Sequence, residues 1–327
     1  MARPLIWLRR MRSLAAWVVP IVLPTGLLSA HSAPPNLQQA PQATFRSGVE
    51  LVTVTVSVRD QKGRVVRDLT RKDFTVIDSG EGVDIRDFYS GDAPISLAIL
   101  LDISGSMAVG GNINRAREAV GVTAKSLRAS TDEAALFTFD SGLAEVVSFT
   151  RDLERIRRAS LKGTPWGKTS LYDAIGQAAT TVGERANRHR ALLVITDGVD
   201  TGSKRTAAEV SGVASSIDVP VYLLTVVTPL DHSGSEFEVS SDGRATQTAT
   251  LDDLSRWTGG DMRITSTSAH IGAAVRDLLA ELRYQYLITF EPGVRRGWHP
   301  LEIRTGDESF VVHARGGYMS NPPGGGS

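Results

Sequence analysis

The sequence predicts an α/β fold: a doubly wound, mostly parallel sheet with helices on both faces, plus a small antiparallel β module. Between residues 93 and 283, apolar runs of strand length alternate with helical patterns, which is typical of a parallel sheet with crossover helices. Residues 45–92 and 284–319 instead alternate apolar and polar side chains, which is typical of antiparallel strands with one wet face. The 327 residues, 41% hydrophobic and 22% charged, suffice for both parts.

The elements of the central domain follow from these patterns. The apolar runs at 95–101, 191–196 and 221–227 are uninterrupted, so we expect them at the buried centre of the sheet. Further strands are expected at residues 134–139, 143–149 (an edge) and 261–265. Helices are expected at residues 113–129, 152–160, 170–186, 205–216, 250–258 and 268–282.

The flanking segments are expected to form one module. Their strands are predicted at residues 49–58, 65–66, 73–77, 83–89, 284–290, 298–304 and 309–315. Three isolated strands are marginal in water, so the strands after residue 283 should pair with those before residue 93.

The first 33 residues have the order of a secretory signal peptide. Four arginines precede an apolar segment at 14–28, and small residues follow it. We therefore expect a secreted, periplasmic or envelope protein, with an uncleaved membrane anchor as the alternative. Residues 34–44, rich in proline and glutamine, are predicted to be a linker, and residues 320–327 a disordered tail.

Composition excludes several functions. The chain has no cysteine, which removes disulfides, lipid attachment to cysteine, thiolate metal sites and cysteine nucleophiles. Removal of residues 1–33 takes away four arginines and no acidic residue, so 32 basic and 36 acidic residues remain, a net charge of −4. Nothing in this balance indicates nucleic-acid binding.

The most informative motif lies where the strand at 95–101 ends. Asp102, Ser104 and Ser106 alternate with Ile103 and Gly105, so a tight turn can aim three oxygen donors at one point. Ligands of parallel sheets bind at the carboxyl ends of strands, and oxygen donors suit Mg²⁺, Mn²⁺ or Ca²⁺. Taken singly, Asp102 or Ser104 is more typical of a helix cap than of a metal ligand.

Three segments together resemble a known family. Asp102–Ser106 closes one buried strand, Gly167–Ala174 opens a helix, and Ile195–Gly198 closes another buried strand. They resemble the segments that build the metal-ion-dependent adhesion site (MIDAS) of von Willebrand factor type A (VWA) domains. The whole chain is also similar to secreted acidobacterial VWA-related proteins. That looser resemblance rests on residues 52–58, 68–74, 282–286 and 315–318.

The resemblance implies a site and a function. The implied ligands of a Mg²⁺, Mn²⁺ or Ca²⁺ ion are Asp102, Ser104, Ser106, Thr169 and Asp197. A remaining coordination position would take an acidic group of a protein partner, which makes the domain a non-enzymatic, adhesion-type binding module. Two carboxylates against one divalent ion leave little net charge, so a third carboxylate is not repelled. VWA domains that switch affinity move their last helix, here 268–282, whose direct link to strand 284–290 would restrain it.

Alternative functions remain open. A metal with two carboxylates can activate water, so a metal-dependent hydrolase is one, although no general base stands at a defined spacing. A VWA scaffold that binds partners without the ion is another. A phosphate-binding loop at Gly163–Thr169 is disfavoured, because only three residues separate its glycines and no buried strand precedes it. None of the six histidines forms a His-Glu-x-x-His pair.

Four further features receive narrower predictions. Asp140 is expected either to support the metal site or to form a simple turn, and Asp173 to be a surface or supporting residue. Lys168 is expected to be a solvated charge beside the metal, and Thr169 could also cap the helix that follows it. The polar segment 228–249 is predicted either to shape partner specificity or to be disordered.

Overall fold

The computed structural model describes residues 51–228 and 244–320, with only the backbone described for residues 244–249. The predicted signal peptide, the linker and most of the polar segment 228–249 lie outside the described residues, as do tail residues 321–327. Among the helices it does describe, none combines the length and apolar character needed to cross a membrane.

The described residues form fourteen strands and six α-helices. The strands are β1 (Val52–Arg59), β2 (Phe74–Asp78), β3 (Glu81–Val83), β4 (Ile85–Asp92), β5 (Ile95–Asp102), β6 (Glu133–Phe139), β7 (Leu143–Thr150), β8 (His189–Thr196), β9 (Val221–Val226), β10 (Met262–Thr265), β11 (Tyr284–Phe290), β12 (Gly297–Thr305), β13 (Val311–Ala314) and β14 (Gly317–Ser320). The helices are α1 (Asn112–Ser126), α2 (Leu153–Ser160), α3 (Leu171–Gly183), α4 (Ala207–Ser216), α5 (Arg244–Trp257) and α6 (Ser268–Arg283).

The central sheet has the order β10-β9-β8-β5-β6-β7. All neighbouring pairs are parallel except β6 and β7, which are antiparallel. Every residue of β5 is buried, because α1, α2 and α6 cover one face of the sheet and α3, α4 and α5 cover the other. This arrangement confirms the predicted doubly wound α/β fold, with β5, β8 and β9 at its centre.

The flanking segments form two antiparallel sheets, which confirms the prediction that they pair with each other. One sheet has the order β13-β1-β11-β4 and the other β14-β12-β2-β3. Each therefore combines strands from both ends of the described chain; for example, Val54 of β1 lies opposite Ile288 of β11. Side chains from both sheets share one apolar core, in which Val56, Tyr286 and Phe290 are fully buried.

Four element predictions were wrong. The strand predicted at 65–66 is only an isolated bridge between Val65 and Arg59. The single strand predicted at 83–89 is two strands in different sheets, because the chain crosses from one sheet to the other at Asp84, as at the corner of a sandwich. Helix α5 begins at Arg244 rather than at residue 250. Residues 244–249 show no apolar periodicity, so the sequence pattern did not mark them as part of the helix. Strand β14, whose last residue was assigned to the tail, was missed.

A buried polar network joins the β module to the last helix of the central domain. The carboxylate of Glu281 in α6 is fully buried and pairs with the guanidinium of Arg59 in β1. It also accepts hydrogen bonds from the hydroxyls of Ser57 (2.6 Å) and Tyr222 (2.9 Å). Burial alone raises the pKa of Glu281, but His313, Arg59 and Ser57 outweigh it and hold the pKa at about 2.

Candidate functional site

The site lies where two central strands of the parallel sheet end. Asp102 is the last residue of β5, and Asp197 directly follows β8. The strands are adjacent, with Leu101 opposite Ile195, so both carboxylates leave the sheet at the same edge. The exposed fraction is 0% for Asp102 and 8% for Asp197. Two acidic side chains are therefore withdrawn from water at one place.

Hydrogen bonds fix the orientation of the Asp102 carboxylate. Oδ1 accepts from the backbone N–H of Ser104 at 2.8 Å, and Oδ2 accepts from the hydroxyl of Thr196 at 2.6 Å. Burial raises the pKa of Asp102 to about 6, which these hydrogen bonds oppose and the charge of Asp197 supports. Each oxygen keeps a lone pair that could bind a cation.

The Asp197 carboxylate lacks the partners that burial normally requires. Both of its oxygens are inaccessible to solvent and have no hydrogen-bond partner among the described residues. Within residues 51–228 and 244–320, no lysine or arginine forms an ion pair with Asp197 or Asp102. Buried charges in proteins are paired or coordinate metals, so a cation fits this position.

Two serines follow Asp102 in a tight turn. Ser104 is buried and precedes a 3-10 helix at Gly105–Gly111, and its hydroxyl lies 3.1 Å from that of Ser106. The turn thus brings two hydroxyl oxygens together within four residues of the Asp102 carboxylate. Both hydroxyl oxygens can coordinate a cation, and together with the Asp102 carboxylate they form a set of oxygen ligands, which hard cations prefer.

The segment that carries Thr169 lies against both strand-end loops. Gly105 N–H donates to the carbonyl of Gly167 at 3.1 Å, which joins this segment to the turn after β5. The carbonyl of Thr169 accepts from Thr201 and Gly202 at 2.9 Å each, which joins it to the loop after β8. Thr169 is 2% exposed. The structure therefore brings the loops bearing all five predicted ligands together.

Three side chains that sequence reasoning missed hold these loops. Thr196 accepts a hydrogen bond from Gly198 N–H at 3.1 Å while it donates to Asp102. The hydroxyl of Thr201 accepts from Thr169 N–H at 3.0 Å. Asp200 accepts from Leu171 N–H at 2.8 Å, at the start of α3. Asp200 lies three residues after the predicted ligand Asp197, a proximity that could have marked it, whereas no local pattern marks the role of Thr196.

The structure bears on the narrower predictions. The Asp140 carboxylate forms a turn, because it accepts from Gly142 N–H at 3.2 Å, while the Asp140 carbonyl accepts from Ser170 N–H at 2.6 Å, so both expectations for Asp140 stand. Asp173 supports the loop after β8, because it accepts from the N–H groups of Lys204 (3.0 Å) and Arg205 (3.1 Å). Lys168 is exposed. Helix α3 begins one residue later than expected, at Leu171, so Ser170 rather than Thr169 precedes it.

A second group of possible metal ligands does not suit a cation. Side-chain atoms of Asp261, Glu281 and His313 lie within 4.8 Å of one another. The guanidinium of Arg59 already bonds both carboxylates, reaching Asp261 at 3.2 Å. An added cation would have to displace this fixed positive charge, so we interpret the group as an ion-pair network.

Comparison with known proteins finds a family match for the part of the central domain that carries the site. Residues 97–199 match the family profile of the von Willebrand factor type A domain. Domains of this family commonly mediate protein interactions and often bind a divalent metal. No curated protein matches the chain. The narrower resemblance to the acidobacterial proteins stays a prediction.

Three solved structures illustrate the similarity. An aerotolerance-related membrane protein from Bacteroides fragilis is 21% identical, with a TM-score of 0.47, over 57% of this chain and 98% of that one. The conserved hypothetical protein BatB from Bacteroides thetaiotaomicron is 18% identical, with a TM-score of 0.45, over 57% and 98%. A von Willebrand factor type A protein from Catenulispora acidiphila is 13% identical, with a TM-score of 0.45, over 84% and 74%.

Proposed function

Residues 97–199 belong to the von Willebrand factor type A family, and we propose that this domain binds proteins through a divalent cation at its MIDAS. In this proposal the ion is Mg²⁺, Mn²⁺ or Ca²⁺, and the partner contributes a carboxylate. The module is non-enzymatic and acts outside the cell or in the cell envelope, after export by the predicted signal peptide.

The observation that carries the proposal is the unpartnered carboxylate of Asp197. Burial of an ionised carboxylate without hydrogen bonds lowers the stability of a folded protein by several kcal/mol. Both oxygens of Asp197 are in this situation among the described residues. A divalent cation shared with Asp102 would offset that cost, and the ion-independent scaffold of the alternative hypothesis leaves it unexplained.

The proposed ligands are the five residues predicted from the sequence: Asp102, Ser104, Ser106, Thr169 and Asp197. The hydrogen bonds from Ser104 N–H and the Thr196 hydroxyl hold the Asp102 carboxylate in one orientation before any ligand arrives. The contact between the Ser104 and Ser106 hydroxyls likewise holds two oxygens close together. A preorganised donor set reduces the entropy that binding must overcome.

The partner's contribution follows from charge. When bound, the ion supplies a Lewis-acidic position that accepts an oxygen ligand. Asp102 and Asp197 together carry two negative charges when ionised, so a divalent ion makes the site close to neutral rather than repulsive toward a carboxylate. Burial of both aspartates removes competing water and strengthens this attraction. An acidic side chain of another protein is thus the proposed ligand.

Metal-dependent capture tests this function. The immobilised protein is exposed to envelope extract of the source organism in Mg²⁺, in Mn²⁺ or in chelator, and bound proteins are quantified. We expect capture in either metal, loss of capture in chelator, and loss with Asp102→Ala or Thr169→Ala in all three conditions. Asp140→Asn is the matched control, because its carboxylate serves a turn at the same sheet edge.

Two results would contradict the proposal. Equal capture in metal and chelator would indicate a scaffold that binds partners without the ion. Turnover of a captured protein or peptide that requires Asp102 would instead indicate the hydrolase considered from the sequence.

A further inference from the structure

Trp166 is an exposed indole beside the proposed metal site. Its exposed fraction is 80%, compared with 49% for Trp257 and 37% for Trp298, the other tryptophans that the structure describes. Tryptophan is enriched at the energetic centres of protein interfaces, because it offers a large rigid apolar surface. We propose that Trp166 selects partners whose metal-binding acidic residue is adjacent to an aromatic or aliphatic side chain. This inference rests on the proposed function.

The backbone fixes Trp166 next to the metal-binding turn. The N–H of Trp166 donates to the carbonyl of Ile103 at 2.8 Å, and the carbonyl of Gly167 accepts from Gly105 at 3.1 Å. These two bonds bracket Ser104, one of the proposed ligands. A side chain that contacts the indole therefore belongs to the same small region as the group that reaches the ion.

Packing on the opposite side holds the same segment. Gly167 has a φ of +83°, and a Cβ at this position would lie 3.3 Å from Oγ of Ser141 in the loop after β6. The segment is thus confined between two strand-end loops. At its start, the guanidinium of Arg117 donates to the carbonyl of Gly163 at 2.6 Å. Trp166 is presented by a restrained backbone, so contact with it costs little ordering of the chain.

The charges of the segment that carries Trp166 favour an acidic partner. Lys162 and Lys168 are exposed on either side of it, and residues 161–169 contain no acidic residue. This positive segment complements the carboxylate that the metal site is proposed to bind, and like charges at an interface discriminate against wrong partners. The occupant we assign is therefore a peptide segment with an acidic residue next to an apolar one.

Peptide selection tests the inference with a defined probe. The immobilised full chain is exposed to a peptide library with a fixed central aspartate and randomised flanks, in Mg²⁺ and in chelator. A second library carries asparagine at the centre. We expect selection only in Mg²⁺ and only from the aspartate library, with aromatic and aliphatic residues enriched beside the aspartate.

Variants then assign the preference to Trp166. Trp166→Ala should weaken the selected peptides by about tenfold, the loss typical of an interface residue worth more than 1 kcal/mol, while binding stays Mg²⁺-dependent. Trp166→Phe should retain most of the affinity. Leu161→Ala is the control, because it removes an apolar side chain that is 57% exposed and lies outside Trp166 and Gly167, the two residues whose backbone is bonded to the metal-binding turn. It should leave the affinity for the selected peptides unchanged. Unchanged thermal unfolding midpoints will show that the variants are folded.

The outcomes separate this inference from the function on which it rests. If peptides are selected through aspartate in Mg²⁺ but show no apolar neighbour, or bind Trp166→Ala as tightly as the wild type, the role of Trp166 is refuted and metal-dependent capture stands. If no peptide is selected, or the asparagine library or chelator gives equal selection, the proposed function itself fails.

Discussion

The hydroxyl of Thr196 donates a 2.6 Å hydrogen bond to Oδ2 of Asp102, at the point where the two central strands β8 and β5 end. Both residues are fully buried. The same hydroxyl accepts from Gly198 N–H, so it joins the loop that carries Asp197 to the carboxylate of Asp102. One threonine thus couples the two acidic halves of the candidate metal site.

Replacement of Thr196 by valine should impair the site without removing a proposed ligand. The change leaves one oxygen of buried Asp102 and the N–H of Gly198 unsatisfied, which we expect to cost about 1–3 kcal/mol of stability. Apparent Mg²⁺ affinity should fall as well, because Asp102 loses its fixed orientation. Chemical denaturation and calorimetric titration measure the two effects. Thr196→Ser keeps the hydroxyl and should behave like the wild type; equal losses in both variants would contradict this role.

The ion pair between Arg59 and Glu281 should stabilise the junction between the β module and α6. Arg59→Met takes the guanidinium away from the fully buried Glu281 and leaves only His313 and two hydroxyls beside its carboxylate, which we expect to lower the free energy of unfolding by about 3–5 kcal/mol. Adding Glu281→Gln removes the orphaned charge and should recover part of this loss. Denaturant unfolding of both single variants and the double variant gives the coupling energy. A loss below about 1 kcal/mol in Arg59→Met would show that the pair is dispensable.

Acid should destabilise the protein through His189. Burial lowers the pKa of His189 from 6.5 to about 4, so between these values the unfolded chain binds a proton that the folded chain does not. The free energy of unfolding should therefore fall as the pH falls from 6.5 toward 4, by up to about 1.4 kcal/mol per pH unit from this group. Denaturant unfolding across this range measures the slope.

His189→Leu should flatten the same pH dependence, because it removes the titrating group from its buried position. His270→Leu, which replaces an exposed histidine, is the control for the loss of a histidine elsewhere in the chain. Identical slopes in all three proteins would assign the acid sensitivity to other groups. Glu281 acts in a lower window, because its pKa is lowered from 4.5 to about 2, so the stability it contributes is lost as the pH falls through that range.

Gly316 should tolerate no side chain. A Cβ at this position would lie 2.3 Å from Cε3 of Trp257, so the indole packs directly on the glycine backbone. Gly316→Ala should destabilise the protein by about 1–3 kcal/mol, as overpacking does, and change the tryptophan fluorescence of the folded state. Gly212 in α4 has open space around its Cβ position, so Gly212→Ala should instead stabilise by up to about 1 kcal/mol. Equal effects in the two variants would exclude packing as the cause.

The order of residues predicts the parts of this molecule that depend on local patterns. Uninterrupted apolar runs identified β5, β8 and β9, because a strand that is buried on both faces carries apolar side chains at consecutive positions. Because Asp102 and Asp197 directly follow such runs, the sequence predicts that both lie at the edge where parallel strands end. Period-two alternation likewise identified most strands of the β module.

Features set by long-range contacts were not accessible in this way. The alternation of apolar and polar side chains at 83–89 continues through Asp84, although the chain passes from one sheet to the other there. Such an alternation predicts a strand but does not indicate which strand pairs with it. Nothing local distinguishes the hydroxyl of Thr196, which acts on a residue 94 positions away. The exposure of Trp166 was not predictable from the sequence either, because tryptophan side chains are on average largely buried.

Calorimetric titration of Mg²⁺ and Mn²⁺ into the chelator-treated protein, compared between wild type and Asp197→Asn, tests the central claim most directly. We expect saturable binding and a raised unfolding temperature in the wild type. Asp197→Asn should lose both responses and unfold in chelator at the wild-type temperature or above, because it removes a buried unpaired charge. Asp140→Asn should bind like the wild type. Absence of metal binding in the wild type, or equal binding in Asp197→Asn, would contradict the account.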